Sequence, residues 1–558
     1  MAESQSPAPT GEAHRLVMQE NAPAISSPLN PEVRGRSQRE RKETAKKREA
    51  TRGTTPTVPA KRKSTAMSSN RPASAQSAPS PMRFQIPQPK TSDYDPPKPP
   101  VFTSHEPLPY TTPDGKTELK KVTDQAENKR GYRYTLAVAD PNFRHKQFYR
   151  QSDGLPYGAR MSFEDADRSI HYDTSGHFVT NAKGWRMARA NVCAREGSLY
   201  YEVRVVRGEP KVHSENGAAL KGQEPHVRIG WARREAPLDA PVGFDGYSYG
   251  IRDKNFEPMH RSRPSKLFHP RTSKSKPNTP IDVNDSIREG DVVGLEITLP
   301  SLSLHHKVVE GQYNPAVDLG DGFEDYPPRP DPSIEPHHII RDRIPVPYKG
   351  NNYFETMDYV STKPVEAYAD RTLSLTNLST PAPGAPTSIK SQPNPHHSDQ
   401  PLRTLPHSNI RVYKNGHLIG TAFENLLSFL PPASQVSKAQ GAREGFDDGM
   451  LGYYPAIACL NGGIAELNFG EDKFWFPPAH LKPAPNILDT SDSDQRYYCG
   501  RNLRPLSERY TEQIAEDMVW DVLDEVDLFA QDGGFEGKVG VGAHAVKKGV
   551  ASLKEEMD

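Results

Sequence analysis

Cysteine is scarce in this sequence, and what there is lies scattered. Cys193, Cys459 and Cys499 are the three in 558 residues, and no two of them form a CxxC pair. That spacing excludes a Cys-rich zinc module and argues against a disulfide scaffold, so a reducing compartment is expected. Long apolar runs are missing as well. Nothing approaches the roughly 18 residues that a membrane-spanning helix needs, and the N-terminus lacks the apolar core of a secretory signal. A soluble, intracellular protein is the expectation. Also absent are a Gly-rich phosphate loop, an HExxH helix and a nucleophile elbow. The histidine pairs His305-His306 and His396-His397 fall in polar stretches, where a surface pair is a simpler reading than a metal site. The chain therefore reads as a binding module with no catalytic residue, no metal and no cofactor.

Net charge is zero, with 71 basic and 71 acidic residues, but the two signs are segregated. Only 34% of residues are hydrophobic and 55 are proline, which implies long stretches that cannot bury enough apolar surface to fold. Residues 1–125 are Ser-, Pro- and Ala-rich and read as a disordered basic N-terminal region. Within it, Arg34 to Lys63 holds twelve basic residues against three acidic ones, in two clusters. Lys46, Lys47, Arg48, Lys61, Arg62 and Lys63 form the centres of a nuclear-import signal, with a DNA or nucleosome contact as the second reading.

Between residues 130 and 480 the texture changes to short alternating segments bounded by Gly, Pro and Asn. SLYYEVRVV (198–206), HVRIGW (226–231), YSYGI (247–251), DVVGLEI (291–297), NIRVYKNGHLIGTAF (409–423) and YYPAIACL (453–460) are the clearest. Period-two alternation with Val, Ile and aromatic enrichment predicts strands, and Asn415-Gly416 predicts a tight hairpin. Many short strands without intervening helices imply a mostly β protein, an antiparallel β-sandwich. Polar inserts are expected to project from it as loops at 208–225, 262–287, 301–345, 361–407 and 431–448. Residues 481–506 read as a linker, 507–532 as an acidic amphipathic helix, and 533–558 as a tail.

Alternation also places a candidate surface. In HVRIGW, Val227, Ile229 and Trp231 share the core face, which leaves His226 and Arg228 opposite. In YSYGIR, Tyr247, Tyr249 and Ile251 share a face, leaving Arg252 opposite. If the two strands are neighbours, Arg228 and Arg252 meet on one outward surface, near Trp185, Pro241 and Phe244. Two planar guanidinium forks beside rings suit an acidic peptide with hydrophobic residues. The alternative is that both arginines are ordinary solvated strand residues. In the C-terminal helix, Ile514, Met518, Val522 and Val526 recur every four residues, with Val519, Leu523 and Phe529 beside them. Ser507 is placed to cap its start and Gly533-Gly534 to end it. Eight acidic residues and a single basic one, Arg509, lie between Glu508 and Asp527. The stripe either packs back on the sandwich or enters the groove of a partner.

The motifs GSLYYEV, HVRIGWA, PVGFDGYSYGIR, GDVVGLEI, IRVYKNG, YYPAIACLNG and ELNFG occur in the order of a SPRY (B30.2-type) domain. The chain over roughly 130–530 resembles the Ash-two/Bre-two family, core subunits of COMPASS-type histone H3 lysine 4 methyltransferase complexes. It departs from the animal members in having no cysteine before Cys193, so it is similar to the shorter fungal form. The resemblance implies a nuclear, non-catalytic scaffold that acts in chromatin and transcription regulation. It implies that Trp185, Arg228, Pro241, Phe244 and Arg252 receive an acidic segment of a WD-repeat subunit. It further implies that the C-terminal helix enters a Dpy-thirty/Sdc-one-like helical dimer, and that a SET-domain methyltransferase is the enzyme served. Two other classes stay open: a SPRY substrate adaptor in ubiquitin ligation, and a chromatin-binding protein acting mainly through its basic tail.

Overall fold

The computed structural model describes residues 91, 110–122, 126–127, 133–137, 155–209, 224–265, 286–323, 345–348, 350–369, 392–437, 447–481 and 502–516. The chain divides into residues 1–76 and 77–558, and all the described residues belong to the second unit. Seventeen of the described strands build two large sheets, beside a four-stranded and a two-stranded one. In chain order they are β1 (Tyr110–Thr111), β2 (Glu118–Lys121), β3 (Met161–Ala166), β4 (Ile170–Tyr172), β5 (Phe178–Asn181) and β6 (Arg186–Ala190). Next come β7 (Gly197–Arg207), β8 (His226–Ala232), β9 (Ser248–Arg252), β10 (Glu257–His260), β11 (Arg263–Pro264) and β12 (Val292–Leu299). The last are β13 (Asn409–Lys414), β14 (His417–Glu424), β15 (Tyr454–Leu460), β16 (Ile464–Asn468) and β17 (Leu503–Pro505).

The first sheet runs β1-β2-β4-β5-β16-β7-β12-β13-β14, with β17 added parallel to β7. The second runs β11-β10-β9-β8-β15-β6-β3 and is antiparallel throughout. Their facing sides form the core, as alternation requires. Leu199, Tyr201, Val203 and Val205 of β7 and Val293, Leu295 and Ile297 of β12 meet Val227, Ile229 and Trp231 of β8. Tyr201 makes an edge-to-face contact with Trp231 at 5.0 Å and donates its hydroxyl to the Gly230 carbonyl at 2.6 Å. Asn415 and Gly416 both take positive φ, 50° and 84°, which joins β13 to β14 by the tight hairpin their pairing implies.

Several stretches assigned to inserts are folded. Within 301–345, Leu302–Glu310 is a helix (α1) whose Leu304, Val308 and Val309 are buried in the core. Ser301 caps it by accepting from Leu304 N at 3.2 Å, and Gly311 ends it at φ 81°. His305 is fully buried rather than on the surface, and its ring Nε2 accepts from Phe429 N at 3.2 Å. Within 361–407, Lys363–Ala369 forms α2, which buries Val365, and Leu402 and Leu405 are buried further on. Within 431–448, Ala433 is buried and Gln435–Val436 pairs with Tyr359–Val360. Within 262–287, Arg263–Pro264 is an edge strand and Ile287 is buried. In each case a few well-spaced apolar residues anchor a polar segment.

The expected linker 481–506 also needs correction, because its end is β17 and Leu506 lies in the core. Residues 506–516 are helical (α3), so Ser507 sits inside the first turn and donates its N–H to the Phe469 carbonyl at 3.0 Å instead of capping. Tyr510 packs on the core, and buried Gln513 donates to the Asn191 carbonyl at 3.2 Å. The root of this helix is part of the sandwich.

A second apolar layer covers the outer face of the second sheet. Met187, Ala232, Ala456 and Ala458 project from its strands, and Val242, Tyr247, Val365 and Leu402 pack over them. Alternation predicts Tyr247 on the core face with Tyr249 and Ile251. It precedes β9, which begins at Ser248, so the pleat does not govern it. Its hydroxyl accepts from Thr362 N at 2.7 Å on the outer side.

Candidate functional site

β8 and β9 are antiparallel neighbours in the register Arg228↔Arg252 and Ile229↔Ile251. With Ile229 and Ile251 in the core, the two arginines stand side by side on the other face. Trp185, just ahead of β6, lies beneath Arg228, whose guanidinium carbon is 4.9 Å from the ring centroid. The same indole stacks on the His226 ring at 6.5 Å. Pro241 and Phe244 belong to the loop before β9, and Val242 between them accepts from Arg228 Nη1 at 3.4 Å. That loop is rigid. Phe244 N donates to the Pro241 carbonyl, and Gly243, at φ 81°, lies so close to β10 that a Cβ there would fall 2.3 Å from the Met259 carbonyl oxygen. Ser248 Oγ accepts from Gly243 N at 2.8 Å and donates to Asp245 at 3.1 Å, which braces the turn, while Phe244 stays 39% exposed.

The charges here do not balance. Arg228 is only 8% exposed, its Nε has no hydrogen-bond partner, and among the described residues no carboxylate forms an ion pair with it. Burial, and then the neighbouring Arg252, lowers its pKa to about 10. Asp253, the acid that acts on it electrostatically, is already hydrogen-bonded to His226 Nδ1 at 2.8 Å and Val227 N at 3.2 Å. That bond raises the His226 pKa against the opposing effect of burial. Asp245 is raised to about 6 by burial, partly offset by hydrogen bonds from Tyr247 N and Ser248. Arg252 touches Glu257 at 3.4 Å and remains 35% exposed. A desolvated guanidinium beside a second, half-open one is costly until an anion arrives.

The structure thus brings Trp185, Arg228 and Arg252 together and sets the Pro241–Phe244 loop against them. Arg228 is more deeply covered than an outward-facing strand residue should be, because the second apolar layer overlies it. His226, Asp253 and Val242 are further parts of the surface. His226 could have been found from its parity with Arg228, but the backbone contact of Val242 leaves no mark in a sequence. In the C-terminal helix, Ile514 is half-buried on α3. Met518, Val519, Val522, Leu523, Val526 and Phe529 lie outside the described residues, as do Lys46, Lys47, Arg48, Lys61, Arg62 and Lys63.

Among the described residues, no group of three His, Cys, Asp or Glu side chains is close enough to hold a metal, and no helix is long and apolar enough to cross a membrane. Cys193 and Cys459 are buried, and burial raises both thiol pKa values, so neither is a ready nucleophile.

No family model matches the chain. It is 43% identical over 548 residues to the COMPASS component cclA of Colletotrichum higginsianum, covering 93% of this chain and 89% of that protein. It is 34% identical to the Set1 complex component ash2 of Schizosaccharomyces pombe, covering 81% and 53%. With the COMPASS component BRE2 of Saccharomyces cerevisiae it shares 27% identity, covering 74% and 90%.

Proposed function

The chain belongs to the family of COMPASS and Set1 complex components that includes cclA, ash2 and BRE2, and on that premise we propose that it is a non-catalytic scaffold of a nuclear histone H3 lysine 4 methyltransferase complex. The observation that carries the reading is the Arg228–Arg252 pair on its aromatic base, in which buried Arg228 has no carboxylate partner among the described residues. A carboxylate-bearing segment of a WD-repeat subunit supplies the missing anion, and the Trp185 and Phe244 rings hold its apolar residues. The C-terminal stripe from Met518 to Phe529 engages a Dpy-thirty/Sdc-one-like dimer. Contacts available only in the assembled arrangement then favour the active conformation of the SET-domain enzyme, a population shift rather than chemistry.

Affinity purification of the tagged chain tests this directly. A SET-domain protein, a WD-repeat subunit and a small helical dimer should co-purify, and recovery of ubiquitin-ligase subunits in their place would overturn the reading. Nuclear entry rests on the two basic clusters. With Lys46, Lys47, Arg48, Lys61, Arg62 and Lys63 replaced by alanine, a fluorescent fusion expressed without its partners should move to the cytoplasm. Unchanged nuclear accumulation would remove those residues from the import signal.

A further inference from the structure

Arg261 and Arg263 line a cleft of about 410 Å3 to which the edge strands of the two sheets, β11 and β14, both contribute. Its floor is aromatic. Tyr249 and His260 stack at 4.4 Å with their planes 6° apart, and Phe423 of β14 lies 5.0 Å from Tyr249. Burial lowers the His260 pKa to about 4, so at neutral pH this ring carries no charge. Arg261 enters from the turn between β10 and β11, where Arg261 and Ser262 both hold positive φ, 55° and 54°. That turn is fixed by bonds from Arg261 N to the Asp245 carbonyl and from Ser262 N to the Gly243 carbonyl, each 2.9 Å. The guanidinium lies 3.6 Å above the Tyr368 ring and gives Nη1 to the Tyr368 carbonyl at 2.9 Å. Its Nε is buried and has no partner, and among the described residues no carboxylate forms an ion pair with it. Nη2 makes no bond among the described residues and is the donor left to take a ligand, for which a carboxylate oxygen is well suited.

The strand edges identify what carries that carboxylate. Among the described residues β14 pairs only with β13 and no strand lies on its other edge, and Phe423 and Glu424 at its end line the cleft. β11 cannot offer a matching ladder, since one of its two residues is Pro264. An extended peptide added to β14 turns every second side chain the same way, so those on the cleft side share the cleft with Arg261. We propose that this cleft docks the carboxylate side chain of an extended acidic peptide that adds as a strand to β14. It is a different surface from the Arg228–Arg252 pair, because Tyr249 and Arg252 lie on opposite faces of β9.

The test uses the full chain and three labelled eight-residue peptides that alternate valine with glutamate, with glutamine or with phosphoserine. The glutamate peptide should bind and the glutamine peptide should bind about tenfold or more weakly. Amide hydrogen exchange across 417–424 should slow on binding. Arg261→Gln should weaken the glutamate peptide about tenfold or more, with its fold checked by thermal melting. Should that variant fail to fold, Glu424→Gln provides the second reading. It removes an exposed repelling charge and should tighten binding about two- to fivefold. Tighter binding of the phosphoserine peptide would overturn the carboxylate assignment. Equal binding of the glutamine peptide, no binding at all, or protection confined to 226–252 would overturn the site.

Discussion

Arg252→Ala is expected to abolish capture of an acidic partner segment while leaving the melting temperature of the free protein nearly unchanged. Its guanidinium is 35% exposed and makes one long contact, to Glu257, so the folded monomer loses little. At the closed interface the same group makes a charge-assisted contact out of water, and its loss costs about 2–5 kcal/mol of binding. Arg228 makes a sharper test because its sign is unusual. Its folded pKa is lowered to about 10 by burial and by Arg252, so the unfolded chain holds that proton more tightly than the folded one. The charge thus destabilises the free domain at all pH values below that point. The penalty fades as pH rises above about 10 toward the higher value of the unfolded chain. Arg228→Met keeps the packing against Trp185 and removes the charge, so it should hold or raise the melting temperature at neutral pH while binding collapses. Methyltransferase activity of a reconstituted complex should fall with either variant. A marked drop in the melting temperature of the Arg228→Met protein would make Arg228 a structural residue and sink the proposed role.

The pairing of these two arginines was legible in the sequence because the pleat has a period of two. Val227, Ile229 and Trp231 fix one face of HVRIGW, and the partner strand repeats the pattern at Tyr249 and Ile251. The depth at which Arg228 lies was not legible. The layer that covers it is assembled from Trp185, Val242 and Tyr247 of one loop, Val365 and Leu402, which come from four separate stretches of the chain and share no periodicity. Tyr247 fails for a related reason: alternation holds only inside a strand, and β9 starts one residue later. The helix Leu302–Glu310 was hidden by averaging. Its signals, the Ser301 cap and the four-residue spacing of Leu304 and Val308, are plain in nine residues but vanish in a 45-residue window rich in Pro, Asp and Ser.

Val522→Asp combined with Val526→Asp should abolish binding of a small helical dimer without lowering the melting temperature of the sandwich. Two carboxylates would enter an apolar groove with nothing to pair them, a penalty of several kcal/mol. The contrast lies earlier in the segment, nine to thirteen residues before Val522. Tyr510 packs on the core, Gln513 reaches the Asn191 carbonyl, and Arg509 bonds Glu516 at 2.6 Å while Arg504 pairs with Glu512. Deleting 507–534 removes this root as well as the stripe, so it should destabilise the sandwich. The loss of the partly buried Tyr510 side chain alone removes apolar contact with the core. A chain that ends after Glu516 keeps the root, and should melt like the intact protein yet bind no partner. Thermal melting of the three variants, measured alongside pull-down of the Dpy-thirty-like subunit, separates the root from the stripe. If the double aspartate variant melts early, the stripe packs on its own domain; if it still binds the dimer, the stripe is not the docking face.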